Sequence, residues 1–498
     1  MKNMKKILAL VLALMLVVGM VAALADTPTT GSITVKNAAK GETYRLYKIF
    51  DATVDGNGAI SYTGTIPTAL ADYFTKDSVG VIRKNADKTD DAIAKAVAEY
   101  VNGLADADAM KTETGEGSSV VFSGLAFGYY GVKSTQGSSA TVDSTNPNAV
   151  VYDKNSKTIT VKKEVDDTSY SIGDTITYTA TFDTVNYLGE GENAKQVINY
   201  EIQDTLPEFL SNVTVTSITV GGTAITTQQF SDKKISIPWA TEDAGSNPKT
   251  YTNLYANGAK LVITYTAKLT KIVNFNTDNT NTVSIHPTTW NGTTEEKPWD
   301  ESWQDDAKIK TYAAALQKVD ENNNPLKGAI FTIKGLTVEP GDGAGIYVVT
   351  AYDANSDTQS AELTTDDNGK LYILGLKEGV DLTVTEVKAP DGYNKLDAPK
   401  SGVLAQMLTE KVYYKGGEIH YDAKGNVTSA TSYATSETIT DKKLTDLDAA
   451  ALKIQNNKGT ELPSTGGMGT TLFYIGGGIL VLAAVILLVT KRRMNAND

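Results

Sequence analysis

Hydrophobic and polar residues alternate along most of this 498-residue chain. Runs such as GSITVK (31–36), TITYTATF (175–182), KLVITYTAKL (260–269) and LTVTEVK (382–388) read in-out-in-out and are separated by Gly, Asn and Asp. That is the pattern of antiparallel strands with one face buried. It recurs over three blocks, 26–154, 155–311 and 312–460, and predicts an all-β chain of tandem β-sandwiches. One segment breaks the period. In DAIAKAVAEYVN, Ile93, Val97, Tyr100 and Val101 recur at helical spacing and predict a helix over 91–102. Thr89 or Asp90 would cap its start and Gly103 would end it. Blocks one and three both open with a strand, a polar turn and a second strand, and read as distant repeats. In block two, residues 287–306 are rich in Trp, Glu, Asp and Pro and are expected to form a surface loop, with KIKTY (308–312) as the closing strand.

Two apolar stretches do not alternate. Near the N-terminus Lys2, Lys5 and Lys6 precede an apolar run and Ala23-Leu24-Ala25. This order is that of a secretory signal peptide, 1–25, cut after Ala25. At the other end, residues 470–490 carry no charge and are followed by Lys491, Arg492 and Arg493. As a helix this stretch crosses a hydrocarbon core of about 30 Å. The basic tail stays cytoplasmic, so the three blocks lie outside the cell.

Composition narrows the chemistry. The chain has no cysteine, which excludes disulfides and thiolate nucleophiles. Its two histidines, His286 and His420, both read as strand-end residues. They leave no histidine-rich metal site and little basis for a Ser-His-Asp hydrolase. A net charge of −13 argues against nucleic acid or anionic lipid as a partner. No cofactor or metal is expected, and the acidic loop DDNGK (366–370) reads as an Asp-Gly turn in preference to a calcium site.

Against this background two lysines stand out. Alternation puts Lys163 on one face with Val161 and Val165, and Lys318 on one face with Leu316 and Asp320. That is the core face, where an unpaired ammonium is costly and must pair or lose its proton. Two inward lysines opening successive blocks suggest a common purpose.

The motif Leu462-Pro463-Ser464-Thr465-Gly466, with the span and basic tail behind it, resembles the LPXTG sorting signal of Gram-positive surface proteins. The resemblance implies that a sortase cuts between Thr465 and Gly466 and passes the Thr465 acyl group to an amine. The segments LQKVDENNNPLKGAIF, LTVTEVKAPDGY and IQNNKGTELPSTGG resemble the collagen-adhesin B-type (Cna-B, Ig-like) domain of Gram-positive major pilins. In that family a first-strand lysine joins a last-strand asparagine through an isopeptide bond, assisted by a buried acid. In block three the resemblance implies Lys318, Glu386 and Asn456, with Asn457 the less favoured asparagine. In block two it implies Lys163, Asp204 and Asn281. Block one offers Lys36 without an evident partner, and its GYYGVKST lacks the acid, so no crosslink is expected there. Tyr152-Asp153-Lys154-Asn155 resembles the family's YPKN motif and implies Lys154 as the acceptor amine, with Lys157 as second choice.

The expectation is therefore a non-enzymatic shaft subunit of a sortase-assembled pilus, secreted and then anchored covalently to the cell wall. A basal or tip pilin, or a wall-anchored adhesin that does not polymerise, is the alternative. Partners would be a class C-type pilus sortase, the housekeeping sortase, further copies of the chain, minor pilins, peptidoglycan and a host surface ligand. The stem 457–461 is too short to serve as a stalk, which favours polymerisation as the source of reach.

Overall fold

The computed structural model describes residues 30–494, except 55–58, 135–138, 144–147, 154, 156, 271–277, several stretches between 407 and 449, and 460–468. The signal peptide therefore lies outside the described residues. The alternating runs form strands in three successive domains.

In the first domain, β1 (Gly31–Lys36) and β2 (Thr43–Val54) are followed by helix α1 (Asp90–Gly103), then β3 (Ser119–Leu125), β4 (Gly128–Ser134) and β5 (Asn148–Tyr152). Strand β1 lies between β3, antiparallel, and β5, parallel. Strand β2 pairs with β4 in a second sheet. Ile33, Val35, Tyr44, Leu46, Phe122 and Tyr130 form the core between them. The helix is one residue longer at each end than predicted, and Thr89 caps it by accepting from the Ala92 amide. It buries Ile93, Ala96, Val97 and Val101 with Tyr47 and Phe50. Gly131 in the GYYGVKS strand is what allows the close approach: a Cβ there would lie 2.5 Å from a Val101 methyl.

The second domain comprises β6 (Thr160–Val165), β7 (Thr175–Asp183), β8 (Lys195–Asp204), β9 (Leu210–Val220), β10 (Lys260–Leu269), β11 (Asn279–Trp290) and β12 (Gln304–Ile309). One sheet runs β6-β7-β10-β9; the other pairs β8 with β11 and β11 with β12. Three expectations change here. The run 287–306 is not one loop, because inward burial continues past Pro287 through Thr288 and Thr289, and β11 extends to Trp290. The charged, Trp-rich composition belongs to the connection that follows. KIKTY closes the domain only through its first two residues: β12 begins earlier, at Gln304, and ends at Ile309, and Tyr312 already starts the next domain. His286 is mid-strand, its ring stacked on Trp299 at 4.4 Å between centroids.

The third domain contains β13 (Tyr312–Val319), β14 (Ile330–Ile333), β15 (Lys370–Leu376), β16 (Asp381–Lys388), β17 (Lys400–Gln406) and β18 (Leu452–Gln455). Strand β13 pairs antiparallel with β15 and β17 and parallel with β18. A parallel pairing of first and last strands is thus common to domains one and three, which supports reading them as repeats. In the loop 366–370 the Asp366 carboxylate accepts the Asn368 and Lys370 amides, so it closes a turn. Among the described residues no group of acidic or histidine side chains could hold a metal. The other histidine, His420, lies on the strand Gly417–Tyr421.

Domains two and three share one continuous hydrophobic core, reinforced at its edge by a Lys377–Asp167 ion pair of 2.6 Å. After domain three, α2 (Gly469–Met494) includes a segment, Phe473–Met494, long and apolar enough to span a membrane.

Candidate functional site

In the third domain the sandwich core closes around Lys318, which is fully buried. Its Nζ donates to Asn456 Oδ1 at 2.5 Å and lies 3.4 Å from Glu386 Oε1. The Asn456 Nδ2 donates to both Glu386 oxygens, at 3.0 and 3.1 Å. Local structure dictates this meeting. Strand β18 runs alongside β13 and the Asn456 amide donates to the Val319 carbonyl, which holds the asparagine beside the lysine. Alternation in β16 turns Leu382, Val384 and Glu386 inward together. Glu386 is fixed further by the Leu396 amide at 2.8 Å, and the Phe331 ring lies 6.0 Å from the ammonium. Burial pulls the Lys318 pKa down, against the opposing pull of Glu386. An amine touches an amide oxygen, and a carboxyl group holds the amide nitrogen. Asn457 is exposed and bonds Gln455 instead.

The second domain reaches a similar end differently. Lys163 Nζ and Asp204 Oδ2 are 2.8 Å apart, and both side chains are out of contact with solvent. Asn281 is not bonded to the acid. Its Nδ2 donates to Tyr265 Oη at 2.8 Å, and Tyr265 donates onward to Asp204 Oδ2, also at 2.8 Å. The Asn281 Oδ1 accepts from Thr205 Oγ1 at 3.0 Å. The stacked rings of Tyr178 and Tyr265 flank the lysine, 5.2 and 5.7 Å from Nζ. Burial lowers the Lys163 pKa to about 8 despite Asp204 beside it, and the same burial with that carboxylate pushes the Tyr265 phenol far up. Tyr265, Tyr178 and Thr205 are absent from the sequence reading. The alternation of KLVITYTAKL does point Tyr265 inward, and Thr205 directly follows the acid. One expectation is corrected: Asn281 is on β11, and β12 follows it, so the asparagine is not on the last strand. The lysine and asparagine stand on opposite sheets.

The first domain has the same backbone frame without the chemistry. The Asp153 amide bonds the Lys36 carbonyl just as the Asn456 amide bonds that of Val319. This equivalence puts Val35 where Lys318 stands and Asp153 where Asn456 stands. Lys36 points outward, 6.0 Å from the Tyr152 ring. Asp153 is buried and accepts from Tyr44 Oη at 2.6 Å and Ser134 Oγ at 3.0 Å.

Lys154 and the motif 462–466 lie outside the described residues. Asp153 and Asn155, on either side of Lys154, are both buried. Lys157 is engaged: its Nζ is 2.6 Å from the buried Glu42 and 3.1 Å from the Asn257 carbonyl. The described part of the stem, 457–459, is docked, with the Gly459 amide on the Gly392 carbonyl and the Asn394 amide on the Asn457 carbonyl.

Residues 313–417 match the family model of the SpaA prealbumin-like fold domain, and 454–496 match the LPXTG cell wall anchor motif. Among curated proteins, the trypsin-resistant surface T6 protein of Streptococcus pyogenes is 24% identical over 213 residues, a match spanning 39% of this chain and 39% of that one. Among solved structures, the chain is similar to the group B streptococcus pilus 2b backbone protein, at 25% identity, 61% of this chain, 99% of that chain and a TM-score of 0.39. It is also similar to the major pilin SpaD of Corynebacterium diphtheriae, at 18% identity, 87% and 98% coverage and a TM-score of 0.36. The chain is thus a cell-wall-anchored surface protein of the Gram-positive type, built from β-domains, one of them SpaA-like, ahead of an LPXTG anchor.

Proposed function

We propose that this chain is the shaft subunit of a covalent pilus and that its second and third domains staple themselves with Lys163–Asn281 and Lys318–Asn456 isopeptide bonds. The observation that carries the reading is the closed contact of Lys318, Glu386 and Asn456 in a dry core. Burial favours the neutral amine, the form that amide attack requires, and the Glu386 carboxyl group holds the leaving nitrogen. Proximity makes the step unimolecular, so no external enzyme takes part. Sortase would then join Thr465 of one subunit to Lys154 of the next, and the last subunit to peptidoglycan. The ion pair that engages Lys157 supports Lys154 as the acceptor. Minor pilins would join the same polymer, and adhesion to a host ligand is the use the family resemblance suggests.

In the native host, the wild-type chain should give an SDS-resistant ladder of high mass, and Lys154→Ala should collapse it to the monomer. A ladder that survives the substitution removes Lys154 as the acceptor. A wild type without a ladder leaves a wall-anchored protein that does not polymerise.

A further inference from the structure

The second domain separates the asparagine from the acid and inserts a phenol between them. The hydrogen bonds run in one direction, from Asn281 Nδ2 to Tyr265 Oη to Asp204 Oδ2, and Lys163 Nζ abuts the same Asp204 oxygen. On the other side of the amide, Thr205 Oγ1 donates to Asn281 Oδ1 and itself accepts the Thr282 amide at 3.0 Å. Asn281 and Asp204 are buried, and the Tyr265 ring is fully so. In the third domain one carboxyl group touches both the lysine and the amide nitrogen, so no third group is needed there.

We propose that Tyr265 carries the proton from Asp204 to the departing nitrogen of Asn281, and that Thr205 stabilises the amide oxygen as charge develops on it. This rests on the isopeptide reading of the second domain. The protons balance as follows. The Lys163 ammonium gives one proton to the Asp204 carboxylate and becomes a neutral amine. The amine attacks Asn281 Cγ, and the electron pair displaced onto Oδ1 is held by the Thr205 hydroxyl. With Asp204 protonated and the Asn281 carbon tetrahedral, the Tyr265 hydroxyl turns from Asp204 to the freed lone pair of Nδ2; Asp204 then passes its proton to Oη while the Tyr265 proton moves to Nδ2. The attacking nitrogen then loses its second proton to Asp204. The Cγ–Nδ2 bond breaks, ammonia leaves, and a secondary amide remains beside a neutral carboxylic acid. The phenol never ionises over this sequence, because it receives a proton as it gives one, and this suits a hydroxyl whose ionisation burial strongly disfavours.

The test is a time course on the full-length chain, sampled from induction onward and digested for peptides joined through Lys163 and Asn281, each lighter by one ammonia. Tyr265→Phe keeps the ring and should slow the second-domain bond about 100-fold. Thr205→Val keeps the shape and should slow it by a similar factor, about 100-fold. Thr205→Ser restores the hydroxyl and should restore the rate. The Lys318–Asn456 bond in the same molecules should form at the wild-type pace throughout, which separates a chemical effect from a failure to fold. Wild-type rates in both Tyr265→Phe and Thr205→Val would overturn the relay alone. Absence of the Lys163–Asn281 bond from the wild type would overturn the isopeptide reading of this domain as well.

Discussion

Glu386→Ala should retain one ammonia that the wild type loses, each chain measured against the mass of its own sequence, with the third domain open to trypsin. Removing Glu386 leaves Lys318 and the Asn456 amide buried without the group that holds both. Losing one partner of a buried pair costs about 3–5 kcal/mol, because the other is stranded in the core. Without the acid the proposed bond should not form, and the constraint over 138 residues between Lys318 and Asn456 would be lost. By analogy with a disulfide closing a loop of that size, this contributes about 5 kcal/mol. The crosslink alone is thus worth a fall of roughly 10–20 °C in Tm for a domain of this size. Mass spectrometry of the intact chain and differential scanning calorimetry check both. A Glu386→Ala chain that still lacks the ammonia of the Lys318–Asn456 bond would sink the assignment of the acid.

Asn281→Ala should make the stability of the second domain depend on alkaline pH. In this variant the amine has no side-chain amide to attack, so Lys163 stays an ionisable group. Its folded pKa is lowered to about 8 by burial, against 10.5 for an ordinary lysine. Between those values the unfolded chain holds the proton and the folded chain does not, so stability rises with pH across that window. Below about pH 8 both states are protonated and the burial cost is fully present. The wild type, with Lys163 consumed as an amide, should show no such rise. It should also exceed the variant by about 4–5 kcal/mol, the value of closing a loop of roughly 100 residues. Urea midpoints from pH 7 to 10.5 measure this, and a flat profile in Asn281→Ala contradicts the buried, depressed lysine.

How much of this was legible in the sequence varies by residue. The inward set of Lys163 and Lys318 follows from a two-residue period, which a pleated strand enforces whatever its partners. Glu386 and Asp204 follow from the same rule within their own strands. Alternation also carries Tyr265, but nothing local marks it apart from the other inward tyrosines. Its role depends on which strand lies opposite, a long-range fact. Lys36 is the reverse case, the one lysine of its strand, and it faces outward. The register of β1 against β5 puts Val35 at the equivalent of Lys318, and a one-residue slip exchanges the two faces. The run 287–306 was misread because its composition outweighed its pattern. Pro287 sits opposite Tyr200 within a strand that pairs on both sides, and the burial of Thr288 and Thr289 continues the core face beyond it.

The parallel pairing of first and last strands governs how a pulled subunit would yield. Tension applied at the two ends of domain three draws β13 and β18 in opposite directions along one ladder, so its hydrogen bonds are loaded in shear and resist together. With the proposed bond in place, the line of force passes from β13 through Lys318 directly to Asn456. Everything folded between those two residues then bears no load. Domain one has the same shear geometry but only hydrogen bonds at that point, with Val35 and Asp153 in the two places. In domain two the line leaves at Asn281, so the remainder of β11 and all of β12 lie outside the staple and carry tension. Since the proposed polymer pulls each subunit between Lys154 and Thr465, domain one lies off that line, and a fibre would yield first at the unstapled end of β11 and at β12 in domain two.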